Sequence, residues 1–279
     1  EKCGVCGGRP RGECPALGKP VCAACCGSGR GSKIKCPADC AHFPFSIAGY
    51  DLWLEIDRKL AQKMLKYLID NSRDEFVDTI DDMRFDKDKP PDGSGTAEGA
   101  AVYYLFFVKR GADGLTLAQK WQAQGWAGLN NDERIMMECR FSCRATVLEV
   151  QKILDHQRME CIDLLDKERG SFILVDRAGA AGTVRFTRLL TWLADYPCYS
   201  RAVNNYTEIS NAIFPDFMAS LHAMYEEKRR KKKGISIKDF LSEDFGAAGA
   251  FLGTIARKRS AEMLKAMDLY QCKAVYKIN

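Results

Sequence analysis

The sequence predicts an α+β fold in four successive parts. These are a small N-terminal cysteine-rich module, a helical region, a small antiparallel β meander or partial barrel, and C-terminal helices. Eight of the 13 cysteines lie within the first forty residues. Beyond them, apolar residues repeat first at helical spacing, then at the spacing of strands, and then at helical spacing again. The predicted boundaries are 1–46, 47–143, 144–200 and 201–279.

The spacing of the first eight cysteines predicts metal ligands. Two Cys-x2-Cys pairs begin at Cys3 and Cys22, and such pairs let two thiolates reach one tetrahedral ion from a single turn. The glycines and prolines between the cysteines form turns and supply no hydrophobic core, so we expect the metal to replace that core. The predicted ligands are Cys3, Cys6, Cys14, Cys22, Cys25, Cys26, Cys36 and Cys40.

The eight thiolates suit two four-cysteine sites, and we expect the two sets to interleave. Cys25 and Cys26 are adjacent, and neighbouring side chains of an extended segment point to opposite sides, so each serves a different ion. His42 stands beside Phe43, and we interpret it as a packed residue that is not a ligand. The two sets are Cys3, Cys6, Cys22 and Cys25 on one ion, and Cys14, Cys26, Cys36 and Cys40 on the other.

Three other uses of clustered cysteines stay open at this point. Disulfides are typical of small secreted modules, but the number of cysteines is odd and no apolar signal segment precedes the module. An iron–sulfur cluster also takes four cysteines, yet the closely spaced ferredoxin run is missing. A redox Cys-x2-Cys normally accompanies a βαβ pattern, which is absent here. The spacing favours structural zinc.

The module also carries a specific motif. It reads CPALG at 14–18, VCAACCG at 21–27 and IKCPADC at 34–40. This motif resembles CPAxGxx(I/V)CxxCCG…IxCPxDC, found at the amino terminus of a group of uncharacterised bacterial proteins. The resemblance is limited to about residues 3–46. It implies a cysteine-rich, zinc-bound module and no activity.

Basic residues indicate a candidate nucleic-acid surface. The chain has 42 Lys and Arg against 37 Asp and Glu, a net charge of +5 that permits a phosphate-rich partner. Two alternatives use these charges within the protein. A basic run near a helix C-terminus can be solvated and stabilise the helix through its dipole. Basic residues beside cysteines can favour the thiolate form of those cysteines. The predicted contacts are Lys228, Arg229, Arg230, Lys231, Lys232 and Lys233, with Arg257, Lys258, Arg259, Arg30, Lys33 and Lys35 in support.

The β region offers a second indication of nucleic-acid binding. Four strands are predicted over 147–153, 159–164, 172–175 and 184–190, and small barrels often bind single strands through aromatic and basic side chains. An aromatic residue such as Trp192 alternatively fills the end of the barrel. The candidates are Arg185, Arg188, Trp192, Tyr196, Tyr199 and Arg201.

Several other segments have simpler interpretations. Residues 43–46 form a hydrophobic hinge, and an amphipathic helix begins near Trp53. Residues 87–95 interrupt the helical pattern. The glycines of this segment are not preceded by a strand and not followed by a lysine, as those of a phosphate-binding loop would be. Glycines between 246 and 253 allow close helix packing, and residues 274–278 predict a final strand.

The sequence predicts a non-catalytic, zinc-stabilised nucleic-acid-binding protein. No nucleophile elbow, HExxH, kinase or dinucleotide motif is present. We place RNA or a ribonucleoprotein ahead of a specific DNA site. The alternatives are an adaptor that docks a protein partner through the zinc module, and an enzyme of unrecognised type. No apolar run is long enough for a membrane span, and reduced cysteines make the cytoplasm the expected compartment.

Overall fold

A computed structural model of the chain describes residues 1–85, 95–203 and 206–275, with side chains as far as residue 262. It confirms a mixed α+β architecture with a cysteine cluster at the N-terminus. The cysteine-rich module contains β1 (Gly12–Cys14), β2 (Lys19–Val21) and α1 (Ala23–Gly29). Within the described ranges, no helix combines the length and the apolar character needed to cross a membrane.

The helical region follows residues 43–46, which are buried and do not form the predicted hinge. Phe43 and Phe45 are 3% and 0% exposed and join the main hydrophobic core. The helices are α2 (Tyr50–Asp82), α3 (Thr96–Phe107), α4 (Leu117–Ala123) and α5 (Asn131–Arg140). The predicted amphipathic helix is confirmed, because Trp53, Leu60, Met64 and Leu68 all lie on the buried face of α2.

The β region is a closed five-stranded barrel and so differs from the predicted meander or partial barrel. The strands are β3 (Arg144–Ile153), β4 (Arg158–Asp163), β5 (Ser171–Val175), β6 (Arg188–Tyr196) and β7 (Tyr199–Ala202). They pair in the order β3-β4-β5-β7-β6, and β6 pairs back with β3 to close the ring. Every pair is antiparallel except β5 with β7. The short α6 (Arg177–Gly182) connects β5 to β6.

Alternation along the strands divides the barrel side chains between two cores. Leu148, Met159, Cys161 and Leu174 belong to a small cluster inside the barrel. Residues of the opposite face, such as Trp192, belong to the main core that the barrel shares with the surrounding helices. Because both faces of β3 and β6 are buried, these strands have few exposed positions for a ligand.

Three helices complete the fold after β8 (Thr207–Ile209), which extends the sheet beside β6. They are α7 (Phe214–Lys231), α8 (Ile237–Glu243) and α9 (Phe245–Val275). The predicted close packing of the glycine stretch is confirmed. A Cβ atom on Gly246 would stand 2.1 Å from the carbonyl oxygen of Asp82, and one on Gly253 would stand 2.5 Å from that of Phe85.

Several predicted boundaries are wrong for local reasons. Residues 184–187 form a turn, so the fourth strand begins only at Arg188. Gly95, in the left-handed region at φ 71°, precedes α3, and Thr96 belongs to that helix and does not cap it. The predicted final strand is wrong for Ala274 and Val275, which end α9. The rest of that strand and the predicted break at 87–94 lie outside the described residues.

Asp195 at one end of the barrel gives a prediction about acid stability. Its carboxylate accepts hydrogen bonds from Arg169 (3.0 Å), Arg144 (3.2 Å) and Ser200 (2.6 Å). Burial opposes ionisation, but the hydrogen bonds from Arg169 and Ser200 lower the pKa of Asp195 to about 2. A lowered pKa stabilises the fold above pH ~4, and that stabilisation is lost as the pH falls toward 2.

We therefore expect Asp195→Asn to reduce the free energy of unfolding at pH 7 by about 1 kcal/mol, since the side chain is partly exposed. The difference from the unaltered protein should shrink in urea titrations as the pH is lowered from 5 to 2.5. A difference that is the same at both pH values would show that the ionised carboxylate is not the stabilising group.

Candidate metal centre

The β1–β2 hairpin brings two cysteine pairs together. The first pair lies in a turn closed by hydrogen bonds from the amide of Cys3 to the Gly8 carbonyl and from the amide of Gly7 to the Cys3 carbonyl, each 2.8 Å. The amide of Gly4 also donates to the carbonyl of Pro20 on β2, at 2.8 Å. Cys22 follows β2 and is the N-cap of α1, where its sulfur accepts from the amide of Cys25.

The four sulfurs of these pairs form a group that could hold a metal ion. The Sγ atoms of Cys3, Cys6, Cys22 and Cys25 all lie within 4.8 Å of one another. With Zn–S bonds of about 2.3 Å, the sulfurs of a regular tetrahedral site lie roughly 3.8 Å apart. The Sγ atoms of Cys6 and Cys22 are 3.7 Å apart, and none of the four is in a disulfide. The residues therefore fit a tetrahedral ion such as zinc.

Hydrogen bonds in the group favour unequal protonation of its thiols. Amide groups, first that of Cys6 and then that of Cys22, lower the pKa of Cys3 to about 6. The nearby sulfurs of Cys6 and Cys22 raise the pKa of Cys25 to about 12. Four thiolates at this separation repel one another, and a divalent cation removes that repulsion while it releases the remaining thiol protons.

The other four cysteines of the module line one cavity. Cys14, Cys26, Cys36 and Cys40 surround a space of about 280 Å³, together with His42. Burial raises the pKa of Cys26, and the charge of Arg30 opposes that rise. Burial also raises the pKa of Cys36. These four sulfurs share a cavity without the close approach seen in the first group.

Cys25 and Cys26 do point to different groups, but the expected reason is wrong. Both lie in the helix α1 and not in an extended segment. Successive residues of a helix are rotated by about 100° around its axis, because one turn takes about 3.6 residues. This rotation directs Cys25 toward the first sulfur group and places Cys26 against the second cavity.

Arg30 connects the module to the helical region. Its guanidinium donates to both carboxylate oxygens of Asp132, at 2.9 and 2.6 Å, and to the carbonyl of His42 at 2.5 Å. The side-chain amide of Asn131 donates to the Arg30 carbonyl at 2.9 Å, and Ser32 donates to the Asn131 side chain. The helix α5 thus begins at the contact with the module. The charge of Arg30 is neutralised by Asp132 within the protein, so we no longer propose Arg30 as a nucleic-acid contact.

Most of the basic run at the end of α7 is paired with acidic side chains. Lys228 contacts Asp244 at 2.8 Å, and Lys232 contacts Glu243 at 2.5 Å. Pairs along α7 itself use Arg229 with Glu226 and Lys231 with Glu227. Within the described part of the chain, five of the predicted basic contacts are exposed and have no ion pair: Arg230, Lys233, Lys33, Lys35 and Lys258.

The two C-terminal basic patches lie near opposite ends of α7. Arg259 pairs with Asp216 in the first turn of α7, and Lys228 lies near the end of the same helix. With a rise of about 1.5 Å per residue, these positions on α7 are roughly 18 Å apart. Arg257 has interactions of its own, including one with Thr254 at 3.4 Å.

Most of the aromatic and basic residues that the sequence predicted as nucleic-acid contacts on the barrel are buried or paired within the protein. Trp192, Tyr196 and Tyr199 are 0%, 7% and 5% exposed. Arg188 pairs with Glu149 and stacks on Phe214, and Arg201 stacks on Trp53 at 4.2 Å. Arg185 alone of the six is exposed. The sequence pattern predicts a strand at its neighbour Phe186, because alternation in Val-Arg-Phe-Thr does not distinguish a strand from the turn that precedes one.

Comparisons with known proteins identify no relative of this chain. It matches no protein family, no curated protein and no solved structure.

Proposed function

We propose that the protein binds single-stranded nucleic acid through its barrel, with RNA or a ribonucleoprotein preferred over a specific DNA site. In this proposal the metal module is structural and the protein is not an enzyme. The observation that carries the proposal is the barrel itself. Its strand order β3-β4-β5-β7-β6, with one parallel pair and a helix after the third strand, matches the oligonucleotide- and oligosaccharide-binding (OB) fold.

A shared strand order does not by itself assign a function, so the proposal also needs a free surface. The helical region and α8 pack against the β3 and β6 side of the barrel. The outer positions of β4 and the turns next to it stay accessible, and among them Arg158, Glu160 and Ile162 are half-buried. In OB folds, single strands lie across the second and third strands and the adjoining loops. The accessible side of this barrel therefore includes its second strand, β4.

We further propose that the module holds two zinc ions. The first would be held by Cys3, Cys6, Cys22 and Cys25, whose sulfurs all lie within 4.8 Å of one another. The second would be held by the four cysteines that line the other cavity. A single-residue test follows. Cys36→Ser should lower the zinc content from two ions to one, and a content that stays at two would exclude Cys36 as a ligand.

The exposed bases supply the electrostatic part of binding in this proposal. Arg230 and Lys233 extend from the end of α7, and Lys33 and Lys35 extend from the module. Each phosphate contact releases counterions, so each contributes to the salt dependence of binding. The paired bases of the run would contribute less, since they must leave acidic partners such as Asp244.

The test is a titration of the zinc-loaded protein with labelled single-stranded RNA and with duplex DNA of matching sequence, at several salt concentrations. We expect tighter binding of the single strand and a linear loss of affinity with the logarithm of salt. The variant Arg230→Ala/Lys233→Ala should flatten that dependence, and Arg58→Ala/Arg73→Ala, which also removes two exposed positive charges, is the charge-matched control on α2. Negligible binding of both nucleic acids would reject the proposal.

A second candidate function is docking of a protein partner on the metal module. The observation in its favour is exposed apolar surface there, because Val5 is 56% and Leu17 is 37% exposed. In this case Val5→Ser would abolish capture of the partner and leave the zinc content unchanged. The same substitution should have no effect on binding of nucleic acid by the barrel.

A further inference from the structure

The turn before β6 carries an aromatic residue in an unfavourable backbone conformation. Phe186 has φ 68°, in the left-handed region that costs free energy for any residue with a Cβ atom. Within the described ranges, the other non-glycine residue of this kind is Trp126, which is 5% exposed and packs against Trp121. Packing explains Trp126. Phe186 is 47% exposed, so burial does not explain its position.

The backbone of this turn is held firmly by the barrel. The amide of Phe186 donates to the Val150 carbonyl at 2.7 Å, and the amide of Val150 donates to the Thr187 carbonyl at 2.9 Å. The Thr187 hydroxyl accepts from the amide of Val184 at 3.1 Å. These bonds need no side chain at position 186, and glycine would adopt the same φ without strain. The turn therefore presents an aromatic ring where the fold alone favours glycine.

The groups around the ring suit a base and a phosphate. The guanidinium of Arg185 lies 4.5 Å from the centre of the Phe186 ring. Aromatic rings and arginine planes are the two groups on which unpaired bases stack. Lys152, also exposed and without an ion pair in the described residues, follows Val150 by two positions on β3. The turn thus combines exposed apolar area with positive charge.

We propose that the turn at residues 184–187 is a contact point for single-stranded nucleic acid, in which the Phe186 ring stacks on a base and Arg185 binds the adjoining phosphate. This inference rests on the proposed function and names the residues that carry it. The turn pairs with β3 a few residues before the loop at residues 154–157, which joins the first two strands of the barrel. That loop takes part in binding in OB folds, and in our proposal the bound strand continues from it to Phe186.

Phe186→Gly is the decisive variant because it removes the ring and suits the backbone. We expect the midpoint of thermal unfolding to stay the same or to rise, since the left-handed strain is relieved. The affinity of the zinc-loaded protein for a labelled 20-nucleotide single-stranded RNA should fall by roughly 5- to 150-fold, the equivalent of one stacked base. The salt dependence should keep its slope, because stacking releases no counterions.

Two further variants separate stacking from charge. Phe186→Trp should retain binding, and the introduced indole should lose fluorescence on addition of RNA, whereas the four native tryptophans are buried. Arg185→Ala should weaken binding and reduce the salt slope by about one. Arg58→Ala, at an exposed position of α2 with no ion pair in the described residues, is the matched control and should change neither.

The outcomes distinguish this inference from the proposed function. If the unaltered protein binds no single strand, the proposed function fails and the contact fails with it. If the unaltered protein binds and Phe186→Gly binds equally well, the function stands and the contact at the turn is rejected. Loss of binding together with a lowered unfolding midpoint in Phe186→Gly would also reject it, because the ring would then be structural.

Discussion

If the module holds two zinc ions as proposed, Cys22→Ser should remove one of them and unfold the part of the module around the first sulfur group, while the barrel and the helical region stay folded. Serine keeps a side-chain oxygen that can cap α1, as the Cys22 sulfur does through the amide of Cys25 at 3.4 Å. The substitution therefore isolates the metal. Structural zinc contributes about 10–16 kcal/mol to the folding of small zinc-finger peptides, so the loss of one ligand should be severe.

Metal analysis and limited proteolysis check this prediction. We expect the zinc content to fall from two ions to one, with new cleavage sites confined to the first forty or so residues. Cys198→Ser is the matched control, because Cys198 lies on the barrel outside the module. Near-ultraviolet circular dichroism should show that the buried tryptophans of the core keep their environment. A full zinc content in Cys22→Ser would remove Cys22 from the ligand set.

Asp57→Ala should be among the most destabilising substitutions in the helical region. Its carboxylate pairs with the guanidinium of Arg140, whose side chain is 1% exposed. The remaining hydrogen bonds of that guanidinium are weak, to the hydroxyl of Tyr196 at 3.4 Å and to the sulfur of Met64 at 3.2 Å. Removal of Asp57 leaves a buried charge without a counterion, which typically costs about 3–5 kcal/mol.

Urea unfolding of three variants tests this explanation. Asp70→Ala breaks an exposed pair with Lys66 on the same helix and should change the free energy of unfolding by less than about 1 kcal/mol. The double variant Asp57→Ala/Arg140→Met should be more stable than Asp57→Ala alone, because methionine removes the uncompensated charge. Equal effects of Asp57→Ala and Asp70→Ala would refute the argument.

The sequence by itself determined the features that depend on local spacing. Cys-x2-Cys pairs specify tight turns, and the interleaved set Cys3, Cys6, Cys22 and Cys25 was predictable from them and is found as one sulfur group. The buried face of α2 followed from three- and four-residue periodicity, and the glycines of α9 followed from their clustering. In each case the residues that decide the structure are neighbours along the chain.

Only the tertiary structure decided the features that depend on distant residues. Closure of the barrel needs β6 to pair with both β7 and β3, and strand alternation does not specify partners. Two ion pairs join residues that are far apart in the sequence, Arg30 with Asp132 and Lys228 with Asp244. These pairs neutralise charges that the sequence pattern assigned to a basic surface. Phe186 continued a strand pattern, but its hydrogen bonds with β3 place it in an exposed turn. Charge and exposure are properties of the assembled surface, because long-range packing selects which side chains meet.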